Sequence, residues 1–180
     1  MTSTVTYTDQ ERVLLQRECV RHHIELENAE HKDTARVLEA TFATEGVFYD
    51  VIPGGGGRLD GLEGVVGFYD SLFETLPDMH IDVTHHYDVP GCCVLEGIVT
   101  GTHSAEFAGV PASGNFISFP FAAMYIFAED PTRLVGERAY WDNENLVAQL
   151  KGEIVAVTSN PWDGANPFTP TPVSATSKGE

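Results

Sequence analysis

Four side chains carry the types and positions that suit proton transfer: His23, Asp50, His103 and Asp142. His23 lies in the run "RHHIELENAEH", on a helical face shared with Gln16, Val20 and Glu27. Glu27 is one turn further on, where a carboxylate can hold an imidazole in one tautomer or favour its protonation. The alternative is an exposed histidine in a polar run, and spacing alone does not say whether His22 or His23 turns inward. Asp50 closes the run "VFYD". With Phe48 and Asp50 on one side and Tyr49 on the other, the carboxylate would stand over an apolar surface, where its pKa rises toward that of a useful base. Asp50 equally suits the plain task of ending a strand and opening a turn. His103 shares a strand face with Val99 and Gly101 in "VTGTHSAEFAGVPASG". It is either a reactive imidazole or a strand-end histidine bonded to a neighbouring loop. Asp142 ends "ERAYWD", as a second acid or as the N-cap of "NENLVAQL".

Other chemistries lack their residues. The glycine run in "PGGGGRLDG" is followed by Arg58-Leu59-Asp60, not by the Gly-Lys-Ser/Thr that opens a phosphate-binding helix, so it reads as a flexible turn. His80, His85 and His86 form no HxxxH or HExxH pair, and Cys19, Cys92 and Cys93 form no CxxC, so no metal site is expected. No serine elbow is present, and no Ser or Cys stands in an evident His/Asp set.

The elements that must position these side chains are legible in outline. Thr8 and Glu11 make a capping box at the head of a helix expected to run to about Glu30. "DTARVLEATF" is a second, shorter helix, and "GVFYDV" a short strand. Asp60 and Glu63 suggest another capping box before Leu62, Val65, Tyr69, Leu72 and Leu76, a stripe at helical spacing. Beyond Pro77 the chain turns to strands. "MHIDVTHHYD" alternates, with Met79, Ile81, Val83, His85 and Tyr87 on one face, and a Pro-Gly turn returns it as "CCVLEGIVTGTH". "FISFPFAAMYIF" follows, its Pro120 suggesting an edge or bulge, then "LVGERAYWD" and a closing helical turn or two. The sum is an α+β domain over residues 1–152. Its three helices from the N-terminal half cover one face of a curled antiparallel sheet, a cone-shaped barrel enclosing a pocket. Residues 153–180, rich in Pro, Ser and Thr, read as an extended or disordered tail.

Charge narrows the partners. Ten basic residues against 27 acidic ones give a formal charge of −17 in 180 residues, which repels phosphate backbones and anionic lipids. No nucleic acid or membrane partner is expected. The N-terminus lacks a basic start followed by an apolar run, and the cysteines look like small apolar residues of a reducing compartment, so the expected location is cytoplasmic.

"LPDMHIDV", "VTGTHSAEFAGVPASGN" and "ERAYWDNENLVAQL" resemble, in order and spacing, the SnoaL-like polyketide cyclases of the nuclear transport factor 2-like superfamily, to which ketosteroid isomerase also belongs. The resemblance covers about residues 8–152. It implies an apolar pocket for a small hydrophobic molecule, a homodimer through the sheet, and chemistry without metal or organic cofactor. A carboxylate there removes a proton next to a carbonyl while a neighbouring donor stabilises the enolate. By this likeness Asp50 falls at the isomerase's base, His23 near its helix tyrosine, and Trp141 on its pocket-lining last strand. The isomerase's second acid falls at about Ala123, which argues against steroid isomerisation. The resulting expectation is a cyclase-, isomerase- or dehydratase-type enzyme acting on a hydrophobic carbonyl compound. Asp50 or Asp142 would be the base and His23 and His103 the donors. Trp141, Tyr125, Phe121, Phe48 and Tyr69 would surround the substrate. The rival is a non-catalytic dimeric module of the same fold that binds a small molecule or a protein. Clustering of Asp50, His23 and His103 at one pocket floor would separate the two.

Overall fold

A computed structural model describes residues 6–53 and 56–156. The tail expectation beyond residue 156 and part of the glycine run lie outside the described residues. Four helices and six strands follow in the order α1 (Asp9–Glu27), α2 (Thr34–Thr41), β1 (Phe48–Val51), β2 (Gly57–Asp60), α3 (Gly61–Thr75), β3 (His80–Val89), β4 (Cys92–Thr102), β5 (Phe116–Phe127), β6 (Leu134–Trp141) and α4 (Asn143–Leu150).

The α+β architecture is the one the sequence implies, with differences in detail. The sheet has the order β2-β1-β6-β5-β4-β3 and is mixed, because β1 runs parallel to β6 while all other neighbours are antiparallel. Its two edges do not meet, so the barrel is open. Part of the expected glycine turn is a strand: Gly57–Asp60 returns against β1 as β2. Gly91, at φ +94°, takes the left-handed position of the Pro-Gly turn between β3 and β4. Pro120 sits inside β5, one residue past the last pairing with β6 (Phe121 with Trp141), where one side of the strand is open.

Helix ends follow local chemistry. Thr8 and Glu11 form the expected capping box. Helix α1 stops at Glu27 because Asn28 leaves it to clamp β3, donating to the Ile81 carbonyl (2.9 Å) and accepting from its N–H (2.7 Å). The second box does not form: Asp60 occupies the N-cap of α3, but its carboxylate accepts from Arg58 Nε instead (2.6 Å). Asp142 does cap α4, accepting from the Asn145 N–H at 3.0 Å.

A β-bulge between Val83 and His85 changes which side chains of β3 face inward. Ile81 pairs with Val99, but beyond the bulge His86 and Asp88 pair with the inward Leu95 and Cys93. His85 and Tyr87, expected on the Ile81 face, therefore turn outward. Helices α1, α3 and α4 cover the inner face, and the core lies between them and the sheet. Among the described residues no helix is long and apolar enough to cross a membrane.

Candidate active site

Between α3, α4 and the inner face of β4–β6 lies a cavity of about 120 Å³, room for several water molecules or a slim ligand. Its walls are apolar for the most part (Phe68, Leu72, Met79, Val99, Phe119 and Leu146 among them) and include no Lys or Arg. Phe121, Tyr125 and Trp141 line it, whereas Tyr69 stands behind the wall. Two carboxylates reach it: Glu27 from the last turn of α1 and Glu137 from β6.

Alternation along the strands selects these groups. In β6, Glu137, Ala139 and Trp141 face the cavity, and Arg138 and Tyr140 face away. In β1 the inward residue is Tyr49, so Phe48 and Asp50 share the outer side. Asp50 there accepts from Arg138 Nε at 2.9 Å, with Arg58 3.9 Å away, and Phe48 lies beneath the Arg58 guanidinium at 3.7 Å. The expectation that Asp50 stands over the pocket is thus corrected: its strand presents the opposite face. Phe48 is excluded from the cavity for the same reason. Asp142 is an exposed helix cap. His103 is buried, but its Nδ1 meets Ser113 Oγ (2.9 Å) and the Ser113 N–H (3.2 Å), fastening the loop after β4. It is not among the cavity walls, and burial lowers its pKa. Asp50, His23 and His103 therefore do not form one cluster, an outcome that removes the enzyme built on Asp50 and by itself favours the binding module.

His23 is brought to a different set. It is fully buried, while His22 is exposed beside Glu25, so α1 makes the choice that spacing left open. His23 Nδ1 lies 2.9 Å from Thr41 Oγ1, and the Thr41 hydroxyl donates its one proton to the Val37 carbonyl at 2.6 Å. Nδ1 must therefore be the donor. On the other side of the ring, Tyr69 Oη is 2.9 Å from both His23 Nε2 and Glu137 Oε2. A tyrosine has one proton; given to Glu137, it leaves Nε2–H to donate to the phenol oxygen. In that arrangement both ring nitrogens are donors, as they are in an imidazolium. Burial works against that charge, but Glu27 and Glu137, each with Oε2 3.6 Å from Nε2, outweigh it and raise the pKa. Glu137 also accepts from Tyr49 Oη at 3.0 Å, so both its oxygens are engaged. Tyr49, Tyr69 and Tyr125 are held well above the ordinary phenol pKa, first by burial and then by the two carboxylates.

Glu27 differs from Glu137. Its Oε2 is buried and has no hydrogen-bond partner. Burial, with the neighbouring Glu137 charge, raises its pKa to about 7 against the opposing pull of His23 and Lys32. A carboxyl on the wall of an apolar cavity, with no hydrogen bond to Oε2 and poised near neutrality, can take a proton from a bound molecule and return it. In the sequence Glu27 stands out only as a partner for His23, and neither Glu137 nor Tyr49 lies in a motif that marks it. The available signal was parity: Glu137 shares a strand face with Ala139 and Trp141. Among the described residues no group of three His, Cys, Asp or Glu side chains is placed to hold a metal ion.

The open sheet packed by helices is a fold shared with solved SnoaL-like proteins, and here it encloses an apolar cavity that carries two acids. The sequence profile of the SnoaL-like polyketide cyclases matches residues 19–150, and the chain belongs to that family. Solved structures of similar fold include a protein from Jannaschia sp. CCS1 assigned to the SnoaL-like polyketide cyclases (20% identity, TM-score 0.69, covering 81% of this chain and 97% of that one). AclR from Streptomyces galilaeus, assigned as a hydroxylase, is similar at 16% identity and TM-score 0.64, over 81% of this chain and 85% of its own. A phenazine biosynthesis-related protein of Pseudomonas aeruginosa is similar at 16% identity and TM-score 0.60, over 87% and 98%. At these identities the likeness is one of fold. No curated protein sequence matches the chain significantly.

Proposed function

We propose that the protein catalyses cofactor-independent proton transfer next to the carbonyl of a small hydrophobic molecule, in a cyclase-, isomerase- or dehydratase-type reaction, with Glu27 as general base. The observation that carries this reading is Glu27 on the wall of an apolar cavity, with no hydrogen bond to Oε2 and a carboxyl pKa raised to about 7. A base near the ambient pH is ionised often enough to act and still basic enough to take a carbon-bound proton. His23, with both nitrogens engaged, is a positioning residue: its charge balances Glu137 and keeps Glu27 from being pushed higher. Glu137, tied to Tyr49 and Tyr69, anchors that arrangement. A second copy of the chain is the proposed partner of the outer sheet face, where Tyr87, Val89 and Tyr140 are exposed.

The test uses 2-tetralone, a neutral bicyclic ketone, and follows exchange of its α-hydrogens for deuterium by NMR. The protein should accelerate exchange above the buffer rate, and Glu27→Gln should remove at least 100-fold of that acceleration, the usual share of a general base. Asp50→Asn should leave it within twofold. Exchange that survives Glu27→Gln would assign the base elsewhere, and binding of the ketone with no accelerated exchange would identify a binding module.

A further inference from the structure

Four buried side-chain polar atoms among the described residues have no hydrogen-bond partner: Glu27 Oε2, Thr75 Oγ1, Trp141 Nε1 and His103 Nε2. Buried polar groups are almost always satisfied, so an orphan marks a place where a ligand or ordered water completes the structure. Three of the four belong to walls of the same cavity. Glu27 is the base of the reading above, on which this inference rests; the other two have no role in it.

Their chemistry differs in a useful way. The Trp141 indole N–H can only donate, so whatever completes it must present an acceptor. Thr75 is the last residue of α3, where a threonine hydroxyl ordinarily bonds back to the carbonyl one turn earlier. It makes no such bond, leaving Oγ1 free both to donate and to accept. The walls hold no cation to receive an anion, and two carboxylates repel one.

We infer that Trp141 and Thr75 are the specificity-determining residues of the cavity, Trp141 Nε1–H donating to the ligand's carbonyl oxygen and Thr75 Oγ1 bonding a second oxygen, so that the site selects neutral, doubly oxygenated carbocycles over hydrocarbons and carboxylic acids. Two fixed anchors would also orient the ring so that one α-carbon meets Glu27. A donor at the carbonyl strengthens its bond as negative charge develops on oxygen during proton removal.

Affinity within one carbon skeleton tests this without any dependence on turnover. Dissociation constants would be measured for tetralin, 2-tetralone, 6-hydroxy-2-tetralone and tetralin-2-carboxylate. The wild-type protein should bind the ketone about tenfold more tightly than tetralin and the hydroxyketone more tightly again, the size expected of buried hydrogen bonds. It should bind the carboxylate least tightly. Trp141→Phe should bring the ketone to within twofold of tetralin, and Thr75→Val should cancel only the hydroxyl increment. Tetralin affinity, unchanged in both variants, reports an intact cavity. A flat wild-type series, increments that survive the substitutions, or loss of tetralin along with the ketones would overturn the inference. If the increments behave as stated but no ligand exchanges its α-hydrogens, the base assignment fails and the recognition assignment stands.

Discussion

Glu27 and His23 form a small electrostatic device whose pH behaviour follows from burial. Exchange of 2-tetralone should rise with pH and level off above a midpoint near 7, because Glu27 acts only when ionised and its pKa is about 7. Stability should run the other way. A carboxyl raised from roughly 4.3 in the unfolded chain to about 7 in the folded one makes the native state hold a proton that the unfolded state releases. The resulting stabilisation, on the order of 3 kcal/mol, is fully present below the unfolded pKa and lost as pH rises through about 7. His23, also raised, loses its contribution in the same direction. The melting temperature should therefore fall between pH 5 and pH 8 by roughly 5–10 °C, and Glu27→Gln should remove most of that fall. Repulsion among the surface carboxylates also grows with pH, but it is common to both proteins, so the difference isolates Glu27.

Two neighbouring strands decide which acid can act. Because β1 runs beside β6 in register, Asp50 opposite Arg138 and Phe48 opposite Gly136, their outer-facing residues form one cluster and their inner-facing residues another. Gly136 makes the outer cluster possible: a Cβ there would lie 2.2 Å from the Phe48 ring. Gly136→Ala should destabilise the protein by roughly 1–3 kcal/mol through overpacking. Adding Phe48→Ala should make the double variant more stable than the two single effects sum to, since the ring that clashes is gone. Chemical denaturation of the four proteins measures the coupling, and strict additivity would show that Phe48 does not rest on Gly136. The parity that removes Asp50 from the cavity delivers Glu137 to it.

At the scale of the whole molecule, the outer sheet face is a feature the cavity does not explain. Tyr87, Val89 and Tyr140 are exposed there, with Val94, Ile98, Ala122 and Met124 half-buried between them. Exposed and half-buried apolar side chains on one face, interspersed with Glu96 and Arg138, suit a polar-rimmed interface. A second copy offers the same patch, and the outward pairing of Met124 with Val94 and Arg138 puts Met124 well inside it. Sedimentation should report a dimer for the wild type and a monomer for Met124→Glu. With a charge of −17 on each chain, the dimer should also strengthen with added salt. A wild-type monomer at every salt concentration would remove the second copy from the account.

Much of the element order was legible because it rests on local rules. The Thr8/Glu11 box, the α3 stripe, the Pro90-Gly91 turn and the motifs around Gly-Thr-His103 are all short-range, and they carried both the α+β class and the family. The candidate site was legible only in pieces: His23 with Glu27 on one helix face, and Tyr125, Phe121 and Trp141 as walls. What tertiary structure decided was which side of each element faces inward. A strand alternates faces with every residue, so Asp50 and Tyr49 exchange roles with a single choice of side, and so do His22 and His23 within one helical step. No local preference makes that choice. It is made by the parallel docking of β1 on β6 and by α1 packing against β3 and β4. These contacts join residues far apart in sequence, as does the 2.9 Å bond between Tyr69 and Glu137.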